Sequence, residues 1–369
     1  MKVLSSHHRG ALVAYTLRGS FTLACIGALL FVAAHASAAD VTGRLITSAA
    51  IAVNPATHKV YAVNEGADSV VVTDESTGAE SKVEVGNAPI AIAVLPSINK
   101  AYVVNTGSNS ISVIGGKQDK VIATIKGGSH PYTIAANGKT NKVYVTYTYD
   151  HIVTVIDGAT DTASTLETGS ADGIAIDEAT NTLFLSTYED PYIRIVDATT
   201  GAMHKVKVGG HIWGWVFDAA NSRLYLAHTA TADVTSLDEK TQTTTTIPVG
   251  QIPCALALNP TTHMLYAVNY GDRTLNVIDT ANAKTLAVLV VGDHPQAVAV
   301  DAERNRVYVA NVHGDSVTVI DGSKNAILGT YQAGEHPYAL AVDESTGQVY
   351  GAIYGSKASV RVDGPALQK

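Results

Sequence analysis

The chain has 369 residues, and its 25 basic and 33 acidic residues give a formal net charge of −8. This acidic balance argues against a nucleic-acid partner, because binding to phosphates needs a surplus of positive charge. The two cysteines, Cys25 and Cys254, are not part of a CxxCH motif, which excludes c-type haem attachment. The sequence also has no GxSxG or HExxH motif, so it lacks two common signatures of hydrolases.

Residues 1–39 have the composition of a secretory signal peptide. Three basic residues and no acidic ones accompany an apolar stretch over 21–34, and the small residues around Ala38 follow it. That stretch is shorter than the ~20 residues of a membrane-spanning helix. We therefore expect cleavage near Ala38, no membrane span afterwards, and a single domain over 40–369 that is periplasmic or secreted.

Removal of this leader would change the charge and the cysteine content of the chain. It takes away three of the 25 basic residues and none of the 33 acidic ones, so the net charge goes from −8 to −11. Cys254 would remain as the one cysteine, and an intramolecular disulfide would be impossible. We expect Cys254 to be a small buried apolar residue.

A short pattern then repeats eight times, at intervals of 40 to 42 residues. Each copy has an aromatic residue between two small or aliphatic ones. The central aromatics are Tyr61, Tyr102, Tyr144, Phe184, Tyr225, Tyr266, Tyr308 and Tyr350. In the seventh copy, four strand-like runs lie at 297–300, 306–311, 316–321 and 326–331, separated by turn residues. Four strands per repeat predict one antiparallel sheet per copy, and a closed ring of such sheets is an all-β propeller.

Two further positions repeat within each copy. Seven of eight copies have aspartate thirteen residues after the aromatic, which is typical of an Asx-turn at a strand end rather than of a metal array. The position three residues before the aromatic holds mainly Asn, with His58 and His263 in two copies. Because these residues tolerate left-handed backbone, we interpret both histidines as turn residues.

The eighth copy lacks a fourth strand. The segment 41–46 precedes the first strand of copy one and could pair with the third strand of copy eight, which would close the ring and cover an exposed edge. This arrangement predicts eight blades. A seven-bladed ring with an irregular end is the alternative.

The repeat resembles the YVTN β-propeller family and, more loosely, YncE-like exported propellers. The resemblance is carried by ValTyrValAlaAsn at 307–311, SerValThrValIleAsp at 316–321 and GlyGluHisPro at 334–337, and it extends over 41–369. It implies an exported propeller with a surface, adhesion or periplasmic binding role. DNA binding has been linked to YncE-like relatives, but the acidic charge of this chain does not support that role here.

Histidines recur in the link that leads into the first strand of a blade. We expect this link to lie on the same face of the ring as the loop between the second and third strands. This position holds His130, His211, His294 and His336 in four of eight copies. One interpretation is that the imidazoles surround the channel mouth and bind a metal, a haem-like cofactor or an acidic ligand. The other is that they bond backbone carbonyls and hold adjacent blades together. No tight metal-ligand spacing accompanies them.

The loops of blades three to seven on this face depart from the repeat and add aromatic, acidic and histidine residues, including Tyr270 in blade six and His313 in blade seven. Such a rim suits glycans, peptides or cationic small molecules, although loop variation alone would also explain it. The candidate binding residues are His130, His211, Trp213, Trp215, His294, His336, Tyr149, Tyr188 and Glu189.

Two function classes remain. The first is a non-catalytic binding protein whose ligand (a glycan, a peptide or a small molecule) or cell-envelope partner contacts the channel mouth; it predicts no cofactor and no catalytic residue. The second is a periplasmic enzyme, lactonase-like, lyase-like or redox, that uses a metal or haem-like cofactor. In that case Glu65, Glu189 and Asp190 are the candidate acid–base groups. The lack of catalytic motifs favours the first class.

Overall fold

A computed structural model describes residues 49–354 and 359–362 of the chain. These residues form eight antiparallel sheets, with two short 3-10 helices at Glu65–Ala67 and Pro96–Ile98 and no α-helix. In the same ranges, no helix has the length and hydrophobicity that a transmembrane span requires.

Each sheet is a blade whose strands pair in chain order. Blade 1 consists of β1 (Ile51–Asn54), β2 (Lys59–Asn64), β3 (Ser69–Asp74) and β4 (Glu80–Glu84), and blade 2 of β5 (Pro89–Leu95), β6 (Lys100–Asn105), β7 (Ser110–Gly115) and β8 (Lys120–Lys126). Blade 3 consists of β9 (Pro131–Asn137), β10 (Lys142–Tyr147), β11 (Ile152–Asp157) and β12 (Thr162–Glu167), and blade 4 of β13 (Gly173–Asp177), β14 (Thr182–Ser186), β15 (Tyr192–Asp197) and β16 (Met203–Lys207).

Blades 5 to 8 continue the same order. Blade 5 consists of β17 (Ile212–Asp218), β18 (Arg223–His228), β19 (Asp233–Asp238) and β20 (Thr244–Pro248), and blade 6 of β21 (Pro253–Asn259), β22 (Met264–Asn269), β23 (Thr274–Asp279) and β24 (Lys284–Val290). Blade 7 consists of β25 (Pro295–Asp301), β26 (Arg306–Asn311), β27 (Ser316–Asp321) and β28 (Ala326–Gln332), and blade 8 of β29 (Pro337–Asp343), β30 (Gln348–Ile353) and β31 (Ser359–Arg361).

The blades close into a ring. The first strand of each blade packs against the first strand of the next, and β29 of blade 8 packs against β1 of blade 1. The predicted eight-bladed propeller is therefore confirmed, and the seven-bladed alternative is wrong. Blade 8 has three strands in the described ranges. The segment 41–46, which we expect to supply its fourth strand, lies outside the described residues, as does the predicted signal peptide.

The core lies between the blades and contains the central aromatic of every repeat. Tyr308, for example, is fully buried and packs with β27 residues of its own blade and with Leu340 and Val349 of blade 8. Burial, reinforced by the charge of Asp119, raises the pKa of the equivalent Tyr61 to about 12. Cys254 is buried in a similar cluster.

The repeated aspartates form Asx-turns, as the sequence predicts. Asp74 Oδ1 accepts hydrogen bonds from the backbone N–H groups of Ser76 (2.9 Å) and Thr77 (3.0 Å). Asp157 and Asp238 make the same pair of bonds in blades 3 and 5. These carboxylates shape turns and are not gathered into a metal array.

The position three residues before each aromatic has left-handed backbone in every blade, including His58 (φ 51°) and His263 (φ 56°). Its side chain often accepts a hydrogen bond from the preceding blade. The Nδ2 atom at the end of one first strand donates to the Oδ1 atom of the next blade at three junctions: Asn54 to Asn99 (2.9 Å), Asn137 to Asn181 (2.8 Å) and Asn259 to Asn305 (2.9 Å). These bonds link consecutive blades on one face of the ring.

Candidate functional site

On the opposite face, the links between blades also have a fixed backbone geometry. The link residues Ala88, His130, His211, Ile252, His294 and His336 all have φ between 48° and 58°. The backbone N–H of His336 donates to Asp315 Oδ1 (2.8 Å), as that of Ala88 does to Asp68 Oδ1 (2.8 Å). Since alanine serves at the same position, the fold requires the backbone conformation here but not an imidazole.

Four rings on blades 6 to 8 form a continuous series on this face, which we call the Tyr–His row: Tyr270, His294, His313 and His336. The ring centroids of Tyr270 and His294 are 4.8 Å apart, those of His294 and His313 are 4.2 Å apart, and those of His313 and His336 are 6.0 Å apart. Links into the first strands supply His294 and His336, and loops between second and third strands supply the other two. The structure thus joins the predicted residues His294 and His336 through His313.

Carboxylates orient the two link histidines of this row. His294 Nδ1 lies 2.9 Å from Asp293 Oδ1, and Arg273 Nε lies 3.0 Å from the same oxygen. His336 Nδ1 lies 3.1 Å from Asp315 Oδ1. Partial burial and the neighbouring His294 lower the pKa of His313, which favours its neutral, ligand-competent form.

Two histidines of the row and the adjacent aspartate are close enough together to bind one metal ion. The ligand atoms of Asp293, His294 and His313, which we call the mouth cluster, all lie within 4.8 Å of one another. His313 lies in one of the loops that depart from the repeat, but it was not among the candidate binding residues. Its signal is that it replaces the glycine found five residues after the aromatic in several other blades, such as Gly66 and Gly271.

A second group of predicted residues meets on blades 4 and 5. The Tyr188 ring makes edge contacts with the rings of His211 (5.1 Å between centroids) and Trp213 (5.9 Å). The hydroxyl of Tyr188 lies 3.3 Å from that of Thr229. Glu189, in the same loop as Tyr188, is exposed.

Two further predicted residues, His130 and Tyr149, contact each other on blade 3. A third, Trp215, makes a hydrogen bond to the neighbouring blade. His130 and Tyr149 make an edge contact with 5.0 Å between ring centroids, and Tyr149 is 61% exposed. Trp215 instead donates from Nε1 to the carbonyl oxygen of Ile174 in the neighbouring blade (2.7 Å). This bond links blades 4 and 5.

Two charged residues near the Tyr188 loop, the buried Arg194 and the half-buried Asp172, were missed by sequence reasoning. Arg194 on β15 is 7% exposed and donates to the carbonyl oxygen of Ser170. Asp172 Oδ2 accepts from the backbone N–H of Tyr188 (3.1 Å). Burial raises the pKa of Asp172, although the bond from Tyr188 and the charge of Arg194 oppose this shift.

A second three-residue group lies where the ring closes, between blades 8 and 1. We call His58, Glu75 and Asp343 the seam cluster. His58 Nδ1 lies 2.8 Å from Asp343 Oδ2 and 4.0 Å from Glu75 Oε2. Burial, a hydrogen bond with Asp343 and the charge of Asp343 raise the pKa of Glu75 to about 7. The pKa of Asp343 is instead lowered, so Glu75 is the member of this pair that takes up a proton first as the pH falls.

No protein-family model matches this chain, and no curated protein matches its sequence. Solved structures that share its fold include the following two. Hydrazine synthase from Kuenenia stuttgartiensis is 18% identical with a TM-score of 0.59, over 86% of this chain and 95% of that one. The dihydro-heme d1 dehydrogenase NirN, in complex with DHE, is 12% identical with a TM-score of 0.68, over 85% of this chain and 74% of that one. At these identities the similarity establishes the propeller fold alone.

Proposed function

We propose that this protein is a non-catalytic binding protein that recognises its ligand on the face carrying the Tyr–His row. One observation carries this proposal. Four half-buried or exposed aromatic rings from three consecutive blades touch in series, at positions where the repeat itself does not require them. Aromatic and imidazole rings with apolar faces and polar edges suit a ligand that has a flat portion and hydrogen-bonding groups.

The second aromatic group extends the same surface. Tyr188, His211 and Trp213 lie on loops of the corresponding kind in blades 4 and 5. Together the two groups would offer a glycan, a peptide or a small molecule several contact points around the channel mouth. Export through the signal peptide and membership of the YVTN-like propellers are parts of this proposal, and a cell-envelope protein is an alternative partner.

Direct binding measurements test the proposal. Purified protein is screened against glycan, peptide and tetrapyrrole panels, and any ligand found is titrated against Tyr270→Ala, His336→Ala and Trp213→Ala. We expect at least one of these substitutions to weaken binding about tenfold or more, as truncation of a binding hot spot does. His263→Ala, on the opposite face, is the control and should bind as the wild type does.

Equal binding by all three variants would contradict the proposal. A second candidate is a cofactor-dependent enzyme, favoured by the imidazoles of the row, which are common metal ligands. For this candidate the DHE complex of NirN offers an analogy of fold. Turnover that depends on Glu189 or Asp190 would support the enzyme over the binding protein.

A further inference from the structure

We infer that the mouth cluster is a binding site for one divalent late transition-metal ion, such as Zn²⁺ or Co²⁺. This inference rests on the proposed function, because it places a metal within the same binding face, and it departs from the expectation that a binding protein carries no cofactor. Asp293, His294 and His313 bring one carboxylate and two imidazoles together, with their ligand atoms within 4.8 Å of one another. Imidazole donors favour zinc, copper, nickel and iron over magnesium and calcium, which prefer oxygen ligands.

A bound ion would draw these donors together. Bonds of about 2.0 to 2.2 Å to nitrogen and oxygen place the ligand atoms of a tetrahedral zinc roughly 3.4 Å apart, whereas the three donors lie within 4.8 Å of one another. We assign the movement mainly to His313, because it is exposed and lies in the loop between β26 and β27. His294 is fixed more firmly, because left-handed backbone and Pro295 hold it at the start of β25.

Asp293 is placed to ligate the ion beside His294. Its Oδ1 atom lies 2.9 Å from His294 Nδ1 and 3.0 Å from Arg273 Nε. An ion bound here would take the place of the proton between Oδ1 and Nδ1, so that both atoms become ligands. Arg273 places a positive charge at the same carboxylate, so it weakens the attraction of the cluster for a cation.

Three protein ligands at an exposed position leave coordination sites for water or for an atom of the bound ligand, as catalytic and exchangeable zinc sites do. His336 pairs with Asp315 and its ring lies 6.0 Å from His313, so we place it outside the coordination shell. The seam cluster differs, because its carboxylates are buried and its histidine bonds Asp343 as part of the ring closure.

The test is a titration of chelator-treated protein with Zn²⁺ alone, followed by calorimetry, and a parallel titration with Co²⁺ followed by visible absorption. We expect one Zn²⁺ per chain and cobalt bands typical of nitrogen and oxygen ligands. His294→Ala and His313→Ala should each weaken Zn²⁺ binding by at least about tenfold. Asp293→Asn should weaken it as well, whereas Arg273→Gln should strengthen it.

Matched controls separate this site from other histidines. His130→Ala changes the same repeat position in blade 3, where a proline also follows, and His58→Asn changes the seam cluster. Both should bind Zn²⁺ as the wild type does, and both should melt within a few degrees of it. Unchanged Zn²⁺ affinity in the His294→Ala/His313→Ala double variant, or equal loss in His130→Ala, would overturn the inference.

The ligand panels should be repeated with and without Zn²⁺, so that failure of this inference and of the proposed function can be told apart. Ligand binding that depends on Tyr270 and His336 without any Zn²⁺ site would overturn the metal inference alone. A Zn²⁺ site lost in His313→Ala, with no panel ligand bound, would support the inference and leave the proposed function contradicted.

Discussion

The mouth cluster and the seam cluster contain the same kinds of residue but relate to the repeat in different ways. Each has three acidic or histidine side chains brought together from different segments of the chain. In the seam cluster, His58 occupies the position that Asn99, Asn181 and Asn305 hold in other blades, and Asp343 occupies that of Asn54. In the mouth cluster, His313 replaces a glycine, and no other blade combines one aspartate and two histidines in this way within the described residues.

Comparison with the repeat separates residues that stabilise the fold from residues that are available for binding. The His58–Asp343 contact at 2.8 Å takes the place of the Asn–Asn bonds that join other blades, so the ring closure explains it. The contact between His294 and His313 replaces no bond between blades; its counterpart is the ring contact of His130 with Tyr149 at the same two positions of blade 3. A cluster that substitutes for a repeated bond stabilises the fold, whereas one that departs from the repeat is free to bind.

The largest expected effect is a loss of stability in the seam cluster. Asp343→Ala removes the contact with His58 and two bonds from Ser345 at a fully buried carboxylate. We expect the free energy of unfolding to fall by about 2 kcal/mol at pH 5.5. His294→Ala and His313→Ala should change it by less than about 0.5 kcal/mol. Denaturant titration at that pH measures all three.

Asp343→Asn is the matched control for this comparison. Asparagine stands at the equivalent positions 54, 137 and 259 and donates to the next blade there. It should therefore recover most of the stability that Asp343→Ala loses. Equal losses in the seam and mouth variants would show that position in the repeat does not separate the two clusters.

The next effect is the pH dependence of stability that Glu75 gives to the seam cluster. Glu75 has a pKa of about 7 in the folded protein against an ordinary value of 4.5. A carboxyl group with a raised pKa stabilises the fold below pH 4.5, and this contribution is lost as the pH rises to about 7. Glu75→Gln keeps a donor toward Asp343 without the charge, so it should raise the melting temperature by a few degrees at pH 8.

The same variant should show little gain at pH 5, because Glu75 is then largely protonated in the wild type. Asp343 sets the lower pH limit of the range in which the seam cluster stabilises the fold. Burial raises its pKa, but bonds from Ser345, His58 and Glu75 outweigh burial and lower it. Its contribution is present above its ordinary pKa and is lost at lower pH. A gain from Glu75→Gln that is equal at pH 5 and pH 8 would contradict this assignment.

Sequence periodicity was sufficient for the fold, because both strand and turn positions repeat. The aspartate turns and the left-handed His58 and His263 follow from short-range chemistry that is the same in every copy. The site was only partly predictable. His294 and His336 stand at a repeated position, but their meeting through His313 depends on how two different loops of neighbouring blades approach each other. Arg194 is buried under a loop by the same kind of long-range packing.

The smallest effect on stability is expected for His58→Asn in the seam cluster. His58→Asn restores the residue that the repeat uses at this position, and asparagine tolerates the left-handed backbone there (φ 51°). The bond to Asp343 raises the pKa of His58, so the histidine adds stability below its ordinary pKa of 6.5 that is lost as the pH rises through the higher folded value. The variant should therefore melt within about 2 °C of the wild type at pH 8 and fall further below it at pH 5.5. Thermal melts at the two pH values measure this, and a large loss at pH 8 would mean that the imidazole has a structural role that asparagine cannot fill.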